Sequence, residues 1–151
     1  MRTLLPIAIA AGLVLSGCAV ETYAPVEFTC NAQSAWQNTG IPLHAGDRLS
    51  IDYETGLWTA DIRNGLSSPA GNPHTPARAG DVLPTAVRSA LVGRIGDSVF
   101  LIGSKFDGTV PSDGRLYCVI NTMITKSDAS ALLPADGSVT MRARVSPATP
   151  T

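Results

Sequence analysis

With 151 residues carrying 11 basic and 12 acidic side chains, the chain is nearly neutral, which excludes an electrostatic nucleic-acid binder and a polybasic attachment to anionic lipid. Charged residues supply only 15% of the sequence and aromatics 5%, against 14 glycines and 11 prolines. That balance suits one exported β-rich domain and not a protein built on long amphipathic helices.

Arg2 supplies a positive start, Leu4 to Leu15 an apolar stretch, and Leu15-Ser16-Gly17-Cys18 places small residues before a cysteine. The apolar stretch is short of the roughly 20 residues that cross a bilayer, and Pro6 and Gly12 interrupt it, so it reads as a cleaved targeting segment. An ordinary secretory signal has no need of a cysteine at that point. The pattern resembles the lipobox of bacterial lipoproteins, which implies cleavage before Cys18 and lipidation of Cys18, with the acyl chains holding the protein at the membrane. Ala19, standing where an aspartate would retain the protein, implies delivery to the outer membrane. Loss of residues 1–17 removes Arg2 and no acid, moving the net charge from −1 to −2.

The resulting organisation is a signal peptide over 1–17, a lipidated tether over 18–27 containing Pro25, a folded domain over 28–145 and a disordered tail over 146–151. Within the domain the first strands are predicted over Trp36–Leu43, Arg48–Tyr53 and Leu57–Ile62, with turns at Ala45-Gly46-Asp47 and Glu54-Thr55-Gly56, forming an antiparallel meander. Arg63 to Gly80, with Pro69, Pro73 and Pro76, is a long loop of the kind that carries function. Val82 to Arg88 is expected to make a helical turn. Leu91–Ile95 and Val99–Ile102 form a central hairpin about a three-residue Gly96-Asp97-Ser98 loop, both runs apolar enough to lie under a second sheet. Phe106–Gly114 reads as a second loop, Arg115–Asn121 as a strand and Thr122–Gly137 as a third loop. Val139, Met141, Ala143 and Val145 then alternate with polar residues in a strand that closes the sheet.

Export places Cys30 and Cys118 in an oxidising compartment, and pairing them is the simplest reading. The bridge would close a loop of roughly 90 residues and contribute up to about 4–5 kcal/mol in the chain-entropy model. The rival is a reactive thiol, for which the sequence offers no convincing histidine partner. About eight strands joined by turns define an all-β fold, an antiparallel β-sandwich of jelly-roll type, with ligands expected on the loops at one end.

Trp36-Gln37-Asn38-Thr39-Gly40-Ile41, Ala45-Gly46-Asp47, Gly56-Leu57-Trp58, Ala90 to Gly96, Phe100 to Gly103 and Gly114-Arg115-Leu116-Tyr117 together resemble the PA-IL-like galactose-binding lectin domain, over about Phe28 to Val145. The resemblance implies a sandwich with a calcium ion at one end that bridges protein to galactose-type hydroxyls. Calcium needs six to eight hard oxygen ligands. The matching positions here are Asp61 for a backbone carbonyl, Asn121-Thr122 where the family has Asn-Asp, and Pro134-Ala135-Asp136 where it has paired amides. The calcium site is therefore degenerate, with Asp61, Asn121 and Asp136 as its remaining donors. Asp128 and Asp136 are loop acids able to supply further oxygens, and His74 matches the family's sugar-contacting histidine, although Ala77 replaces its glutamine. Trp36 and Trp58 sit in strand motifs that suit the core, with sugar stacking as the alternative.

Only His44 and His74 are available as histidines, and neither belongs to a nucleophile or zinc motif, so the chain is read as non-catalytic. Two functions follow. The first is a structural or adaptor lipoprotein of the bacterial envelope that binds another envelope protein, motivated by Thr122, Pro134 and Ala135. The alternative is carbohydrate binding through the loop end.

Overall fold

The computed structural model describes Gly17, residues 23–124 and residues 134–150. Cys18 and Asp128 lie outside the described residues.

Nine strands are present among the described residues: β1 (Val26–Asn31), β2 (Gln37–Leu43), β3 (Arg48–Thr55), β4 (Trp58–Thr59), β5 (Leu91–Ile95), β6 (Ser98–Leu101), β7 (Lys105–Thr109), β8 (Gly114–Ile120) and β9 (Asp136–Ser146). They form two antiparallel sheets. One is five-stranded, in the order β1-β9-β3-β7 with β4 paired to the start of β9, and the other has the order β2-β8-β5-β6. The expected all-β sandwich is therefore present.

Alternation explains which face of each strand is buried. In β3, Leu49 and Ile51 are fully buried between half-exposed Ser50 and Asp52. In β9, Val139, Met141, Ala143 and Val145 face the core while Arg142 and Arg144 face outward. Leu91 and Ile95 of β5 and Leu116, Cys118 and Ile120 of β8 meet them from the opposite sheet. Each fully buried Leu or Ile contributes about 1.5–3 kcal/mol relative to exposure, so this shared layer dominates the fold's stability. A disulfide joins Cys30 on β1 to Cys118 on β8, with 6.2 Å between Cα atoms and a sequence separation of 88, and thus staples the two sheets.

Several sequence expectations are corrected. The first strands are no meander: β2 pairs with β8 and β3 with β9 and β7, so the chain changes sheet between them. The corner is fixed by Asp47, whose carboxylate accepts the His44 N–H at 2.9 Å and whose carbonyl accepts the Val110 N–H at 2.8 Å, while the Gly46 N–H donates to the Val110 carbonyl at 2.9 Å. Strand β9 does not close its sheet but runs between β1 and β3. Residues assigned to a loop from Phe106 form β7, an edge strand, and β1 precedes the first predicted strand; these two bring the seven predicted strands to nine. Residues 82–88 form hydrogen-bonded turns without a helix.

The central hairpin is also refined. Ile95 pairs directly with Ser98, so Gly96-Asp97 is a two-residue turn, and Gly96 takes the positive φ of 56° that such a turn requires. Strand β5 is buried on both faces except at half-buried Arg94, but β6 is an edge strand, and its Val99 and Leu101 are 39% and 46% exposed. Being last in its sheet, β6 has no neighbour to shelter its outward side chains.

Candidate functional site

The sandwich end that carries the long loops is built around Arg88 and Ser89, immediately before β5. Trp58 is fully buried and donates its indole N–H to the Ser89 carbonyl at 2.8 Å, while Ser89 Oγ accepts from the Ala60 N–H at 2.9 Å. Ser89 has a positive φ of 66°, a left-handed conformation that costs a non-glycine residue about 1–2 kcal/mol. Those bonds and the one from its N–H to the Asn121 carbonyl hold it there. The residue 63–80 loop is tied to the same segment: Asn72 N–H donates to Arg88 O, and Arg88 N–H to Thr75 O. Gly71, at φ +87°, passes so close that a Cβ would lie 2.7 Å from the Ala90 nitrogen. The long loop is thus pinned to the scaffold.

Around this segment the structure gathers three of the sequence-predicted residues, and each already has partners. Asn121 is fully buried. Its amide nitrogen faces the carbonyls of Leu83, Ala86 and Val87 at 3.0 Å each, and its amide oxygen accepts from the Leu83 N–H. Two N–H donors are shared among three carbonyls, so the side chain braces the 83–87 turns. Thr122 Oγ accepts from the Arg88 guanidinium at 2.7 Å. Asp61, 5% exposed, caps the short 3-10 turn Ile62–Asn64, and both its carboxylate oxygens accept from the Arg63 guanidinium at 2.7–3.2 Å. Hydrogen bonding from Arg63 holds the Asp61 carboxyl below the usual aspartate range, and the Arg88 charge contributes in the same direction.

Two residues outside the sequence reading complete the cluster. Arg88 and Asp81 are buried, with Arg88 Nε 3.5 Å from the Asp81 carboxylate; Asp81 also accepts from the Arg78 backbone N–H at 2.8 Å. The signal for Arg88 is a charged residue three places before the apolar run Leu91–Ile95. Two other predicted residues, Asp136 and His74, make no side-chain hydrogen bond to this cluster among the described residues. Asp136 is exposed at the start of β9, opposite Thr59, and His74 is exposed at the rim, its backbone N–H bonded to Asn72 Oδ1.

These donors do not suit calcium. Among the described residues no group of three or more His, Cys, Asp or Glu side chains is arranged to hold a metal. The oxygens of Asp61, Asn121 and Thr122 each accept from a nitrogen donor, and two guanidinium groups sit where a divalent cation would need negative charge. The loop end supplies its own cation in Arg88.

The fold and site define a lectin-like β-sandwich with an arginine-centred loop end. A solved structure described as the EclA N-terminal domain, a PllA-like lectin, superposes with a TM-score of 0.50 at 21% identity, covering 83% of this chain and 96% of that one. At that identity the likeness is one of fold. No family model and no curated protein matches the sequence.

Proposed function

We propose that this chain is a non-catalytic carbohydrate-binding lipoprotein of the bacterial envelope, and that it binds its glycan without calcium. The observation that carries the reading is the lectin fold of the neighbour, matched across almost the whole of that domain. Lectins act by presenting fixed polar and aromatic groups, and a sandwich stapled by a disulfide with its long loop pinned at Arg88 is suited to that. The adaptor reading has no observation of its own to set beside this, so carbohydrate binding takes precedence over it. Independence from calcium is motivated by the engaged oxygens of Asp61, Asn121 and Thr122.

The membrane attachment rests on Leu15-Ser16-Gly17-Cys18 alone. Mass spectrometry of the protein purified from a bacterial host should find the chain starting at an acylated Cys18, and an unmodified N-terminus elsewhere removes the anchor from the proposal. For the glycan, the full chain displayed on a broad array of neutral and acidic envelope polysaccharides should bind a restricted subset. Silence across the array contradicts the reading.

A further inference from the structure

The two sheets divide the charge of the sandwich unequally. The strands of the five-stranded sheet hold Glu27, Asp52, Glu54, Asp107 and Asp136, whereas β2, β5, β6 and β8 contain two arginines, Arg94 and Arg115, and no acid. Alternation turns both arginines outward, since Ile95, Leu116 and Cys118 beside them face the core. Register then sets a row of side chains across the outer face: Val99, Arg94, Tyr117 and Asn38 are successive cross-strand partners. Trp36 comes one residue before β2. It is half-buried on this face and is not a core residue, contrary to the sequence expectation.

Arg94 lies between the two aromatic rings. Its guanidinium carbon is 4.8 Å from the centroid of Trp36 and 4.8 Å from that of Tyr117. Arg48, Arg142 and Arg144 on the other sheet each pair with a carboxylate, and Arg115 donates to the Gly40 carbonyl. Among the described residues Arg94 has neither a carboxylate partner nor a hydrogen-bond acceptor, and its Nε is shut away from water unbonded. Two aromatic neighbours hold the guanidinium through its charge but accept nothing from its in-plane N–H groups. The outward edge is where that donor capacity can be met, and a carboxylate is the group whose geometry matches a guanidinium edge. Exposed Val99 and Leu101 lie alongside, offering an apolar surface.

We propose that this outer sheet face binds a carboxylate-bearing sugar of the uronic-acid type. The sugar carboxylate accepts from the Arg94 guanidinium edge, and the apolar face of the sugar ring packs on the exposed side chains alongside it, Val99 and Leu101. Charge complementarity selects the occupant, because the strands of this sheet carry two cations and no acid, too few cations for a membrane surface. This inference rests on the glycan-binding reading and gives it a ligand class and a place.

Calorimetric titration of the full chain with a galacturonic acid trimer, a neutral galactose trimer and sodium acetate tests it. The acidic trimer should bind at least about tenfold more tightly than the neutral one, as one charge-assisted bidentate contact allows, and acetate should not compete at equal concentration. Arg94→Gln should abolish the preference and Arg94→Lys should lose most of it, lacking the planar fork, while Arg144→Gln on the opposite sheet should retain it. In the unsubstituted chain the Arg94 Nε–H resonance should move with the acidic trimer and stay still with the neutral one, a readout that does not require a variant to fold. Equal affinity for both trimers, acetate competing as well as the trimer, or a preference that survives Arg94→Gln overturns this inference and leaves the lectin reading standing. Silence toward every sugar overturns both.

Discussion

Arg88 carries its charge inside the loop end, where, among the described residues, Asp81 and the Thr122 hydroxyl are its side-chain contacts. Removing one partner of such a buried pair leaves the other charge uncompensated, which costs about 3–5 kcal/mol. Arg88→Met should therefore lower the unfolding free energy of the full chain in urea by that amount, with Thr122→Val costing nearer about 1 kcal/mol. A loss for Arg88→Met no larger than that for Thr122→Val would show that the pair contributes little. Asp61 gives a pH signature. Its carboxyl titrates below the ordinary value of 3.8 because Arg63 donates to it, so its contribution is complete above that value and is lost as pH falls through the lowered folded one. The stability advantage of the natural chain over Arg63→Gln should accordingly be full at neutral pH and vanish on strong acidification; an advantage independent of pH contradicts the assignment. These roles were only half legible in the sequence. Asn121, Thr122 and Asp61 stood out because of a family resemblance, yet which atoms they bond depends on Arg63, Arg88 and the 83–87 turns, and no local pattern encodes those meetings.

Strands with clear alternation, such as β3 and β9, were readable because a period of two leaves one face apolar. Pairing order was not, since β2 and β3 look like hairpin partners until Asp47 turns the chain into the other sheet. Strand β7 was missed because Lys-Phe-Asp-Gly-Thr offers one large apolar residue, Phe106, which packs at 4.7 Å from Phe100. Arg94 was hidden inside a run read for its apolar content. At this scale the long loop makes the sharpest prediction. Gly71 combines a positive φ with backbone contact to Ala90, so Gly71→Ala should cost about 2–4 kcal/mol, the left-handed penalty plus displacement of the loop. Equilibrium unfolding checks this, and a loss below about 0.5 kcal/mol, the range of an ordinary surface substitution, would mean the loop is not pinned there.

Across the whole molecule, the disulfide and the shared core make the two sheets one body. Replacing Cys30 and Cys118 together with alanine should reduce stability by about 2–5 kcal/mol, readable as a lower urea midpoint. An unchanged midpoint would assign the cohesion to the core alone. The sandwich itself was legible from turn spacing and alternation, while the unequal charge of its two sheets became visible only once the strands were sorted between them. Glycan binding is proposed on a lectin-like fold whose loop end, among the described residues, is built around Arg88. The most direct test is calorimetric titration of the full chain with the best glycan from an array, in calcium and again in excess chelator. Saturable binding with the same affinity in both is the predicted result. Absence of binding to any glycan, or binding that disappears with the chelator, would contradict the account.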